Sequence, residues 1–157
     1  MSTSKAPSEV LFYHLEQQPL ERVLPGLLEK TLQRGWRGVV QAGSQERLEA
    51  LDQTLWTYSD DSFLAHGTAK TCCPDAQPVY LTTGAETPNG AQIRFLVDGA
   101  KADEKAFLDF ARLVYVFDGH DTEAVQLARD EWKAAKAAGC QVTYWQQAAD
   151  GRWEKKA

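Results

Sequence analysis

The sequence predicts an α/β fold, a single-domain, mostly parallel Rossmann-like sheet with helices on both faces. Three observations predict it. Short segments rich in Val, Phe, Tyr and Trp alternate with segments of helical apolar spacing between Glu9 and Gln147. Pro and Gly punctuate the helical segments, at Pro19, Gly35 and Gly139. The order strand, helix, strand is that of right-handed crossovers covering a sheet on both sides.

Taken in order, residues 1–8 are small and polar and read as a flexible N-terminus, 9–148 as one α/β domain and 149–157 as a polar C-terminal tail. Glu9–Leu15 (EVLFYHL) is a short buried strand. Leu20, Val23, Leu24, Leu27, Leu28 and Leu32 recur at helical spacing up to Arg34, but Pro25 interrupts the run, so the regular helix is expected to begin there. Trp36–Ala42 is the next strand, and Ser44 caps a helix running to about Leu55. Tyr58 to Gln77 is a long irregular connection, a kind that is often functional. Pro78–Thr83 and Ala91–Val97 are strands joined through a segment holding Gly84, Pro88, Asn89 and Gly90. Asp103–Asp109 is a short helix, Arg112–Phe117 a strand, Thr122–Ala138 a helix ended by Gly139, and Gln141–Gln147 the last strand. The terminal GRWEKKA, with Arg152, Trp153, Lys155 and Lys156, is either a second basic element or a frayed end, and the frayed end is favoured.

The chain has 157 residues, 43% of them hydrophobic and 25% charged. That is enough for one core without disulfides or a metal. Its 17 Lys and Arg against 22 Asp and Glu give a net charge of -5, which disfavours wrapping nucleic acid with the whole surface, disfavours direct stacking of single-stranded DNA on its five tryptophans and basic stripe, and leaves DNA an indirect partner. Three cysteines, Cys72, Cys73 and Cys140, two of them adjacent, fit no disulfide framework and suit a reducing, cytoplasmic setting. No segment approaches the roughly 20 apolar residues of a membrane helix, and the N-terminus lacks the apolar core of a signal peptide.

Signals for catalysis are weak. The turn after the first strand lacks the glycines of a dinucleotide fingerprint, and the phosphate-loop and nucleophile-elbow patterns are absent. Gly43 and Ser44 suit a turn and a cap as well as a phosphate. Asp98-Gly99 and Asp118-Gly119, at strand ends, are turn pairs first; their alternative is a nucleotide- or metal-binding enzyme using Asp98 and Asp118. His66 with Cys72 and Cys73 lacks the usual zinc ligand spacing. No cofactor or metal is expected.

The helix QLARDEWKAAKAAG carries the strongest signal. At about 100° per residue, with Arg129 at zero, Lys133 lies near +40°, Lys136 near -20° and Trp132 near -60°. Ala124, Leu127, Ala128, Ala134, Ala135 and Ala138 fill the opposite half and suit close packing on a sheet. Glu131 points into that alanine side without a local reason. Three cations beside an indole describe either a solvated face or a dock for an acidic, partly apolar peptide.

FYHL, LLEKTLQRGWRGVV, LDQTLW, DDSFLAHG, FLVDGA and LARDEWKAAKAAG together make the chain similar, over nearly its whole length, to the chi subunit family of bacterial DNA polymerase III holoenzyme. The resemblance implies a non-catalytic accessory subunit. It implies binding to the acidic C-terminal tail of single-stranded DNA-binding protein (SSB), which ends in Asp-Ile-Pro-Phe, and a link through the psi subunit to the clamp loader. It assigns the tail to Arg129, Trp132 and Lys133 and places Trp56 and Phe63 around the terminal Phe; helical spacing, not the resemblance, adds Lys136 as a further electrostatic contact. Trp132 stands where better-known members carry Tyr, which keeps a flat apolar surface and drops a hydroxyl.

Overall fold

The computed structural model describes residues 9–57, 66–68, 73–84, 86–101 and 110–156. Strand β1 (Glu9–Leu15) leads into helix α1 (Leu20–Gln33), then β2 (Gly38–Gln41) and α2 (Gln45–Thr57). A two-residue strand β3 (Gly67–Thr68) and a 3-10 turn (Pro74–Ala76) precede β4 (Val79–Thr82) and β5 (Ile93–Val97). β6 (Arg112–Asp118), α3 (Thr122–Ala137), β7 (Gln141–Gln147) and β8 (Trp153–Lys155) complete the order. The expected helix 103–109 lies outside the described residues.

All eight strands form one sheet in the order β3-β4-β2-β5-β6-β1-β7-β8. Every pairing is parallel except β7 with β8. From β1 the chain crosses by α1 to β2 on one side of its start. From β6 it crosses by α3 to β7 on the other. Right-handed crossovers in opposite directions put helices on opposite faces. α1 and α2 therefore share one core with Leu11, Leu15, Val40, Leu81, Phe95 and Val114, while α3 packs on Val10, Phe12, Leu113, Tyr115 and Phe117. Alternation along β1 and β6 divides the two cores.

Three local expectations need correction. α1 begins at Leu20 and carries Pro25 inside it, buried. Leu20 and Leu24, on the N-terminal side of Pro25, are both buried, and their burial offsets the lost backbone hydrogen bond. β2 starts at Gly38, because the Trp36 N–H turns back to the Thr31 carbonyl at 3.2 Å. The C-terminal tail is not frayed throughout: Gly151, at φ +86°, turns the chain so that Trp153–Lys155 add an antiparallel strand to β7. Ser44 caps α2 as expected, its Oγ accepting from the Arg47 N–H at 3.3 Å.

Candidate partner-binding face

Helix α3 is held at its start by Asp121, whose carboxylate accepts from the Glu123 and Ala124 N–H groups at 3.0 and 3.3 Å. Ala128 and Ala135 are its buried positions, and their small side chains let the helix approach the sheet closely. The contact arc is rotated from the one its alanine content suggests, for Ala134 and Ala138 are exposed. Two large groups set the rotation. Trp132 lies half-buried, edge-on to Phe12 and Tyr144 with centroids 5.5 and 5.9 Å apart. Glu131 accepts a hydrogen bond from the Tyr115 hydroxyl at 3.0 Å, which accounts for a carboxylate on the sheet side.

The same rotation leaves Arg129, Lys133 and Lys136 exposed, and none makes an ion pair among the described residues. Lys136 Nζ lies 5.1 Å from the Trp132 ring centroid, a cation-π contact that keeps the indole's outer surface beside positive charge. Arg129, Trp132, Lys133 and Lys136 thus share one face. Tyr144, which the sequence reading passed over, and His14, which it placed only at the carboxyl end of the first strand, extend it. Tyr144 of β7 flanks Trp132 and places its hydroxyl 2.5 Å from His14 Nδ1. Burial pushes its phenol up, while the nearby Arg129 charge pulls it down and Glu16 raises it. His14 Nε2 in turn lies 2.7 Å from Glu16 Oε1. The signal for both was the period-2 pattern: Val10, Phe12 and His14 on β1, and Val142 and Tyr144 on β7, face α3.

Trp56 lies elsewhere. It belongs to α2, on the other face of the sheet, 52% exposed and stacked obliquely on buried His66 at 4.8 Å. His66 Nε2 is 2.9 Å from Asp52 Oδ1, one turn back on the same helix. The sheet separates Trp56 from Arg129, Trp132 and Lys133, so these residues do not form one continuous pocket. Phe63 and Cys72 lie outside the described residues, Cys73 is exposed and Cys140 is buried.

The strand-end carboxylates border a crevice of about 980 Å³ at the carboxyl ends of β1, β5 and β6, lined by the first turns of α1, α2 and α3. In a doubly wound sheet this is the usual ligand position. Here the protein's own groups occupy one another. Asp98 Oδ2 is 3.0 Å from Arg47 Nε, and Arg47 Nη2 reaches Glu21 Oε1 at 2.5 Å. That hydrogen bond raises the Arg47 pKa. Burial, the largest single influence, would raise Glu21, but the hydrogen bond from Arg47, a backbone hydrogen bond and the Arg47 charge together outweigh it and hold the carboxyl below its ordinary value. Asp118 accepts from the His120 N–H at 2.9 Å in a turn. Gly43 packs so closely on the Asp98 carbonyl that a side chain there would overlap it. Among the described residues no group of three or more His, Cys, Asp or Glu side chains is arranged to hold a metal ion.

Comparison with known proteins identifies one relative and one family. A 28% identical relative, named as a probable DNA polymerase III subunit chi of Rickettsia prowazekii (strain Madrid E), aligns over 85 residues. The alignment takes in 54% of this chain and 52% of that protein, so it spans about half the length of the relative. The profile of the family described as "DNA polymerase III chi subunit, HolC" matches residues 8–143. With most of its length matched, the chain belongs to the DNA polymerase III chi subunit family.

Proposed function

We propose that this chain is a non-catalytic accessory subunit of the replicative polymerase holoenzyme that binds the acidic C-terminal tail of SSB and links it, through psi, to the clamp loader in the cytoplasmic replisome. One observation carries the reading. On a chain of net charge -5, Arg129, Lys133 and Lys136 are exposed and unpaired among the described residues, around the half-buried Trp132. An acidic tail ending in Phe supplies what that face lacks. Its carboxylates meet the cations, Arg129 offering a two-pronged donor, and its terminal ring lies against Trp132 and Tyr144. An adaptor also needs a second surface. Trp56, on the far side of the sheet, offers exposed apolar area for the psi contact.

A calorimetric titration with a peptide ending in Asp-Ile-Pro-Phe, and with the same peptide lacking Phe, tests the reading at two salt concentrations. Binding is expected to need the Phe and to weaken with salt. Arg129→Ala and Lys133→Ala are each expected to weaken it about tenfold or more, since a hydrogen bond to a charged group contributes about 1.5–3 kcal/mol. Unchanged affinity in both variants at low salt would show that the tail binds elsewhere.

A further inference from the structure

Among the described residues the first sheet face is only partly roofed. α1 packs on β2 and β6 and α2 on β4, while β7 meets α3 from the opposite side. The strand register sets aromatic and basic side chains in rows across the open part. Tyr13, Trp145 and Lys155 are direct neighbours across β1, β7 and β8. In the adjoining row Trp153 packs edge-on to Tyr13, centroids 5.0 Å apart. Tyr13 and Trp153 belong to the core shared by α1 and α2, so these rows face away from α3.

At the amino ends of the strands, Trp36 lies beneath two guanidinium groups, Arg34 at 5.0 Å and Arg112 at 5.6 Å from its ring centroid. Arg112 also pairs with Glu9 at 2.8 Å. Arg112 is the register partner of Glu9, and Glu9 lies on the same face of β1 as Tyr13, so the two clusters share one face of the sheet. Tyr13, Trp36, Trp145 and Trp153 are all half-buried, and Arg34 and Lys155 are exposed.

We propose that this open flank binds single-stranded nucleic acid, with bases stacking on Trp145, Trp153 and Tyr13 and phosphates meeting Arg34, Arg112 and Lys155. Flat rings at strand spacing beside cations form a stacking platform with a charged border, which accepts any base because every base has a π-face. Among the described residues named here, the cations Arg34, Arg112 and Lys155 outnumber the carboxylate Glu9, which favours an anionic partner on an otherwise acidic chain. An acidic peptide with one apolar anchor would satisfy the cations but leave most of the rings unused. The net charge confines contact to this patch, so binding is weak and falls steeply with salt. The surface is distinct from the tail-binding face on α3.

The test is an anisotropy titration of a labelled oligothymidylate of about 15 nucleotides, read alongside tryptophan fluorescence at low salt. The expected result is binding with quenching, and a log-log salt dependence of about -2, from three phosphate contacts at about 0.7 each. The double variant Arg34→Glu with Lys155→Glu, both exposed positions, should weaken binding at least about tenfold. Arg129→Ala with Lys133→Ala should change it by less than about twofold, being distant. Thermal melting of each variant separates loss of binding from loss of fold. Absence of binding at low salt overturns the proposal. So does loss through the α3 pair, or displacement of the oligonucleotide by the peptide ending in Asp-Ile-Pro-Phe. Peptide affinity measured without oligonucleotide reports the α3 face separately.

Discussion

The strand-end crevice and the outer face of α3 both concentrate charge, and they dispose of it in opposite ways. In the crevice Arg47 is shared by Glu21 and Asp98, Glu16 lies beside both His14 and His120, and Asp118 and Asp121 accept backbone N–H groups. On α3 the cations Arg129, Lys133 and Lys136 have no carboxylate partner among the described residues. Charges that neutralise one another hold elements together; charges left over are available to a partner. The position where a doubly wound sheet ordinarily takes its ligand is here spent on joining three helix starts. On the proposed function, recognition takes place instead on the flank of a helix.

Gly43→Ala attacks the crevice at its tightest point and carries the largest expected effect. A Cβ there overlaps the Asp98 carbonyl, which is backbone and cannot swing aside. The loss should be about 3 kcal/mol in urea unfolding, the upper range for overpacking. Tail affinity of the folded fraction should not change. Reduced affinity in protein shown to be folded would mean that the crevice shapes the α3 face.

Trp132→Ala sharpens the same comparison, because Trp132 serves both fold and face. Half of it packs on Phe12 and Tyr144, and Lys136 covers it from outside. Its removal should cost about 2 kcal/mol of stability, less than a fully buried Trp, and should also weaken the tail peptide. Trp132→Tyr should restore most of both. If stability falls and peptide affinity does not, Trp132 is a packing residue alone.

How much of this the sequence disclosed follows from how far each interaction reaches along the chain. β1 and α3 were legible almost to the residue, because hydrophobic period and the Gly139 boundary are local. β3 and β8 were not. Strands of two and three residues carry no period of their own and exist through β4 and β7 beside them. Arg94 was equally opaque: it is 2% exposed, and Gln41 Oε1 with the Gly84 and Glu86 carbonyls satisfies its guanidinium, while desolvation lowers its pKa. None of those partners is visible from the segment AQIRFLV. The cations of α3 were readable from helical spacing, whereas the rotation that exposes them depends on Tyr115 and Phe12 across the sheet. Tyr144 and His14 needed the β1–β7 register, and the separation of Trp56 from Trp132 needed the direction of each crossover.

The smallest effect tests whether the two regions are independent. His120 Nε2 lies 2.9 Å from the Glu16 carbonyl oxygen and 3.3 Å from its carboxylate, and these raise its pKa above the ordinary histidine value, the carbonyl contributing most. A raised folded pKa means that protonated His120 adds its stabilisation fully below the unfolded pKa and loses it as pH rises through the folded one. The side chain is exposed, so stability should barely respond and an NMR titration of the imidazole is the sensitive readout. Its midpoint should lie above the ordinary value, and Glu16→Gln should remove only the lesser, carboxylate share of the shift. Tail affinity should not follow this titration, since His120 lines the crevice and not the α3 face. An affinity that tracks the His120 titration in the wild type, and stops tracking it in His120→Ala, would show the crevice and the face coupled through Glu16, His14 and Tyr144. The leftover charges of α3 would then be tuned by the neutralised ones, and the separation drawn between the two regions would fail at that chain of contacts.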